Sequence, residues 1–195
     1  MKLIVGLVGE IKAGKETTVR HIKKYLPKQF TFSHLRFSDT LAQTLDLWGA
    51  PKNRHNLQNL VVKMEEVLGE GALSRAMALR IQNDRANITV VDGIRWWSDV
   101  HMIKSFNPSV MVYITANRQE RYIRTVRAND KVGDPKKTWE EFVVEDEAHN
   151  ERFIGEIGRK AADYIIVNNG REEEFRDNIR QLFNEKIKSL LQAEQ

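Results

Sequence analysis

The sequence predicts an α/β fold in three layers: a five-stranded parallel sheet with helices on both faces, a helical excursion and a short lid. Three observations carry this expectation. Five short apolar runs alternate with helical stretches, the order that makes parallel strands joined by right-handed crossovers. The runs are apolar without alternation, as strands covered on both faces are. The chain of 195 residues, 41% hydrophobic and 30% charged, is long enough to bury one core and short for two, so a single domain is expected over residues 1–195.

The first strand is expected at residues 3–8, where Leu3, Ile4, Val5, Leu7 and Val8 are broken only by Gly6. Gly9 ends it, a loop follows to Gly14, and residues 17–26 have a helical pattern up to Pro27. Phe30, Phe32, His34, Leu35 and Phe37 mark a second, less regular strand, closed by Ser38 and Asp39, which can cap the next helix. Between Asp39 and Asn83 there is no strand pattern, only two or three helical stretches hinged at Gly49-Ala50-Pro51 and Gly69-Glu70-Gly71. Residues 88–91, 110–114 and 164–167 are the third, fourth and fifth strands. Lys131-Val132-Gly133-Asp134-Pro135 breaks the chain between two long helices. The last helix is marked by Phe175, Ile179, Leu182, Phe183, Ile187 and Leu190, with charges between them. The expected division is a core over residues 1–38, 84–129 and 160–195, a helical excursion over 39–83 and a lid over 130–159.

Composition removes several classes of function. No cysteine is present, so disulfide scaffolds, thiolate zinc sites, iron–sulfur clusters and cysteine nucleophiles are excluded together. His34, His101 and His149 show no pairing at metal-ligand spacing. Glu10 and Lys12 interrupt the apolar start too early for a signal peptide, and no run of 18 apolar residues could span a membrane, so a cytoplasmic chain is expected. The net charge of +4 suits an anionic small molecule as well as nucleic acid, but the aromatic and basic interleaving of a nucleic-acid surface is missing.

Gly9-Glu10-Ile11-Lys12-Ala13-Gly14-Lys15 fits the first seven positions of the phosphate-binding loop, the Walker A motif. Such a loop wraps phosphate oxygens with successive backbone N–H groups, which its glycines permit by close approach and unusual backbone angles. Gly9, Lys12, Ala13, Gly14, Lys15, Glu16 and Thr17 are therefore candidate nucleotide contacts. Lys15 would neutralise the outer phosphates, and the helix that follows adds the positive end of its dipole. Glu16 stands where a serine or threonine usually binds magnesium, so the hydroxyl on the metal side is placed on Thr17. A carboxylate at position 16 must point away from the phosphates or pair with a cation.

Asp92 ends the third strand, at the edge of the sheet where α/β ligands sit; it could hold magnesium or simply close a turn. Arg95 follows within reach of a phosphate or carboxylate. Trp96 and Trp97 are packing residues or walls for an aromatic acceptor. Arg118, Arg121, Arg124 and Arg127 recur every three residues on one helix that leads to the lid, and Arg124 and Arg127 are favoured as catalytic cations. On the acceptor side, Asp39 is a candidate base or a helix cap, while Arg36 and Arg54, the latter near Gln58, could hold an acceptor phosphate.

With these residues in place, the chain resembles phosphate-loop kinases of the nucleoside monophosphate kinase and dephospho-coenzyme A kinase superfamily, and an uncharacterised group of archaeal kinase-like proteins. The resemblance rests on residues 9–17, Phe37-Ser38-Asp39, Val91-Asp92-Gly93-Ile94-Arg95 and residues 162–170. It implies a P-loop NTPase fold, Mg2+ and ATP as cofactors, Asn169 near the adenine, and Asp39 as the base. The implied reaction moves the γ-phosphoryl of ATP to a small phosphorylated acceptor: a nucleoside or deoxynucleoside monophosphate, or dephospho-coenzyme A. Lys15, Asp39, Arg95, Arg124 and Arg127 would be catalytic, Thr17 and Asp92 would hold magnesium, and Arg36, Asp39, Arg54 and Arg95 would bind the acceptor. The alternative is a nucleotide-gated binding module or slow NTPase without a small acceptor. A monomer or homodimer is expected, with no membrane partner.

Overall fold

The computed structural model describes residues 2–128, 137–148 and 151–192. Five parallel strands stand in the order β2-β3-β1-β4-β5: β1 (Leu3–Gly9), β2 (Phe32–Arg36), β3 (Ile88–Asp92), β4 (Ser109–Thr115) and β5 (Tyr164–Val167). β1 is central and every one of its residues is buried, which is why its sequence carries no alternation. Leu3, Val5 and Leu7 face one core with α1 (Lys15–Tyr25) and α9 (Glu172–Leu182); Ile4 and Val8 face the other, beneath α2 (Phe37–Leu47), α4 (Ala72–Asn83), α5 (Trp97–Lys104) and α8 (Ile154–Ala161). These are the three layers that the alternation of strands and helices predicts.

The excursion has the expected hinges. α2 ends before Gly49 (φ 64°), and α3 (Arg54–Leu68) ends at Gly69 (φ 83°), with Gly71 (φ 74°) preceding α4. Asn53 caps α3 by accepting the Asn56 N–H at 2.8 Å. Ser38 and Asp39 are not caps: α2 begins one residue earlier, at Phe37, so both stand inside its first turn.

The lid expectation changes more. The loop at residues 131–135 and His149 lie outside the described residues. Of the flanking helices, α6 (Arg118–Ala128) is described over 11 residues and α7 (Trp139–Asp146) over 8, the start of the latter fixed by reciprocal capping between Thr138 and Glu141. α8 is no part of a loose lid. It packs on β1 and β4, and a Cβ at Gly158 would stand 2.4 Å from the Tyr113 ring, so glycine is what lets the helix approach the sheet. The C-terminal helix runs through a π-helical segment at Phe183–Lys188 into α10 (Ser189–Gln192), which keeps Phe183, Ile187 and Leu191 buried in turn.

Candidate functional site

β1 delivers the chain to Gly9, where a Cβ would lie 2.4 Å from the Ile114 carbonyl oxygen of β4. The loop then turns through Lys12 (φ 61°) and Gly14 (φ 120°). At Gly14 a side chain would be strained, and it would also meet Asn168 Nδ2 at 2.7 Å and Phe175 Cζ at 2.8 Å. Both glycines are thus demanded by geometry. The 11-residue α1 starts at Lys15, so its free N–H groups and dipole face the same space.

Lys15 Nζ curls over the loop and donates to the carbonyls of Gly9 (2.6 Å) and Glu10 (3.0 Å). Burial lowers its pKa, and the charge of Asp92 opposes that shift. Thr17 faces a cleft of about 690 Å³ and its hydroxyl accepts from Arg20 at 3.1 Å, whereas the Thr18 hydroxyl is buried and donates to Gly14 O at 3.2 Å. The hydroxyl that faces the cleft is therefore at 17. Glu16, exposed, leans toward Arg36 at 3.8 Å, the cation that a carboxylate beside phosphates requires.

Asp92 closes the cleft at the end of β3. Its Oδ1 is buried and has no hydrogen-bond partner among the described residues, a costly state for a carboxylate. An oxygen ligand left open beside the Thr17 hydroxyl and the phosphate loop fits a hard divalent cation such as Mg2+. Lys12, Lys15, Arg20, Arg36, Arg124 and Arg127 bring positive charge to the same cleft. Arg124 also braces the loop, donating to Asn168 O (2.6 Å) and Lys12 O (3.4 Å). The four arginines of α6 do not share one task. Arg118 and buried Arg121 clamp Asp146 at the end of α7, Arg121 also reaches Ile11 O in the loop, and only Arg124 and Arg127 line the cleft.

Asn169, expected near the adenine, does not line the cleft, whereas Asn168 does. The Asn169 Oδ1 accepts from the Asn117 N–H at 2.7 Å, and it is Asn168 whose buried amide donates to Ala13 O at 2.8 Å. The period of β5 could have found this: Ile166 faces the α1–α9 core, and two residues on puts Asn168 on that face. Sequence reasoning also missed Glu10, whose buried carboxylate accepts from the Tyr113 hydroxyl and from Thr115 Oγ1 at 3.3 Å. Burial, with Glu10 beside it, pushes the Tyr113 pKa up to about 12.

A second cavity, about 580 Å³, lies beneath α2 and α3 and is walled by Gly93 and Arg95. The two cavities abut. Ile11, Phe37 and Gly93 line the second, while their chain neighbours Lys12, Arg36 and Asp92 line the first. Arg95 is fixed rather than free: Nη2 and Nε donate to Glu151 Oε1 at 2.6 and 3.1 Å, and its backbone N–H donates to buried Asp99 at 2.9 Å. Burial raises the Asp99 pKa against the opposing effect of these hydrogen bonds. Asp39 lines neither cavity and carries no hydrogen bond or ion pair among the described residues; Arg54 opens α3, and its side chain lies outside the description.

Sheet order, glycine loop and flanking cavities define the fold of the phosphate-loop kinases. Solved structures agree: the protein TT1252 from Thermus thermophilus superposes with a TM-score of 0.62 at 16% identity, over 95% of this chain and 98% of that one. A shikimate kinase from Acinetobacter baumannii in complex with shikimate gives 0.55 at 17% identity, over 97% and 95%. In sequence the chain is similar to UPF0200 proteins. It is 28% identical to that of Methanococcus maripaludis over 190 residues, 96% of this chain and 98% of the relative. With that of Pyrococcus abyssi it shares 28% over 182 residues, 91% and 93%. No protein-family model matches the chain.

Proposed function

We propose that the chain is an ATP-dependent phosphotransferase that moves the γ-phosphoryl of magnesium ATP to a hydroxyl of a small acceptor held in the second cavity. The observation that carries this reading is the meeting of the two cavities at three pairs of consecutive residues, which puts a phosphate cradle and an acceptor-sized space side by side. A nucleotide switch needs the cradle alone.

In this reading Gly9, Lys12, Ala13, Gly14 and Lys15 hold the donor phosphates, with Glu16 turned to Arg36 and Asn168 bracing the loop. Thr17 and Asp92 would hold the magnesium ion, which when bound neutralises the phosphate charge. In the transfer, a bond forms between the acceptor oxygen and the γ-phosphorus. The bond from that phosphorus to the β–γ bridging oxygen breaks, its electron pair leaves with ADP, and the hydroxyl proton passes to water, since Asp39, expected as the base, lines neither cavity. Lys15, Arg124 and Arg127 stabilise charge on the moving phosphoryl group, and positioning supplies most of the acceleration. Arg95 stands in the wall of the acceptor cavity, with Arg36 on the donor side of the boundary. Measuring ATP consumption with and without acceptors, among them nucleoside monophosphates and dephospho-coenzyme A, tests the reading: acceptor-dependent consumption is expected, and acceptor-independent hydrolysis alone would favour the slow NTPase.

A further inference from the structure

We infer that the acceptor is a neutral alcohol with an apolar body rather than a phosphorylated molecule, an inference that rests on the phosphotransferase reading above. Charge is divided unevenly between the two cavities. Six cations and four carboxylates, Glu16, Asp92, Glu120 and Glu172, line the donor cleft, an excess of cations, whereas among the described residues lining the second cavity Arg95 is the one cation, and its guanidinium is already bonded to Glu151. Asp99 and Glu151 bring two carboxyl groups to that wall, and Glu145 a third that is paired with Lys137. A phosphate dianion placed there would face carboxylates and would have to compete with Glu151 for Arg95, a charge-assisted contact of the strong kind.

The rest of the wall is apolar: Phe37, Leu41, Leu57, Val61, Leu73 and Trp96. A volume of about 580 Å³ lies inside the range of about 300–1,000 Å³ that encloses drug-sized ligands. Val62 belongs to this wall and is 55% exposed, so the cavity opens to solvent along an apolar side. Where the cavity meets the donor cleft, at Ile11, Phe37 and Gly93, Ser38 supplies a hydroxyl beside Phe37 and Gly93 leaves room at the wall. That arrangement suits a hydroxyl at the phosphate end and hydrocarbon beyond it. Glu151 is then the specificity-determining residue: by occupying Arg95 it removes the cation that an acceptor phosphate would use.

The test is calorimetric titration of the full chain, saturated with magnesium ADP so that the donor cleft is filled, with 1-hexanol, 1-octanol, 1-decanol and AMP in turn. Affinity should rise about fourfold per added methylene, AMP should bind more weakly than decanol, and Glu151→Gln should tighten AMP roughly tenfold by freeing Arg95. Val62→Lys, at a half-exposed position that folding tolerates, should weaken decanol and strengthen AMP. AMP binding tighter than decanol and indifferent to both substitutions overturns the inference, as does an alcohol series without chain-length dependence. ADP affinity, read in the loading step and in Lys15→Ala, reports on the donor cleft separately, so failure of the phosphotransferase reading is told apart from failure of this one.

Discussion

Gly14 shows how narrowly single residues determine the donor loop. Its φ of 120° and the Phe175 ring 2.8 Å from a would-be Cβ give Gly14→Ala two penalties at once, backbone strain of about 1–3 kcal/mol and a collision with packed neighbours. The expected outcome is a lower thermal midpoint and loss of ADP binding, measured by thermal shift with and without nucleotide. His34 supplies a second residue-scale prediction. Its Nε2 is buried without a hydrogen-bond partner among the described residues, and burial lowers its pKa from the ordinary 6.5 despite the opposing charges of Asp92, Asp39 and Glu16. As pH falls through 6.5 the unfolded chain takes up a proton that the folded one resists, so this site's contribution to stability is lost on acidification. His21, also buried against protonation, acts in the same direction. Urea denaturation at pH 7.5 and 5.5 should show lower stability at the acid end, with a smaller difference in His34→Phe; an equal difference in that variant would refute the assignment. The loop residues were legible because their spacing is set by phosphate geometry. Asn168 was not, because two neighbouring asparagines can be told apart only by the register of β5.

Elements were legible wherever local pattern decides them, and less so where packing does. β5 stands at Tyr164–Val167, where the apolar run places it, and the hinges of the excursion fall at the glycines that supply positive φ. What the pattern could not show is that α8 lies against the sheet, since that depends on Gly158 facing Tyr113, a contact between residues distant in sequence. Nor does a three-residue arginine spacing reveal that α6 faces two ways. Arg121, 6% exposed at its side chain, is tied to Asp146 of α7, to Ala116 O and to Ile11 O, so one buried ion pair joins the donor loop to the segment that leads to Glu151. Removing one partner leaves a buried charge uncompensated, at a cost of about 3–5 kcal/mol. Asp146→Asn should therefore lower unfolding stability by that order in urea, while Glu147→Gln, which removes the more exposed carboxylate paired with Arg118, should cost less than about 1 kcal/mol. Equal effects would mean that the buried pair is not a structural tie.

For the whole molecule, the sheet order β2-β3-β1-β4-β5 brings the ends of β1, β2 and β3 together, and both cavities open at those ends. Net charge treats the molecule as evenly basic, yet the donor cleft is lined by more cations than carboxylates and the neighbouring cavity by more carboxylates than cations. That partition depends on tertiary placement, which is why the sequence supports a phosphate donor site far better than it identifies an acceptor. No helix among the described residues is long and apolar enough to cross a membrane. The central claim is transfer of phosphoryl from the loop to the second cavity. Phosphorus NMR of magnesium ATP with the full chain and a panel of acceptors, neutral alcohols and nucleoside monophosphates alike, tests it most directly. The account predicts a new phosphoryl resonance on one acceptor, formed one-for-one with ADP and absent in Lys15→Ala. Release of inorganic phosphate alone, at a rate no acceptor changes, or wild-type transfer by Lys15→Ala, would contradict it.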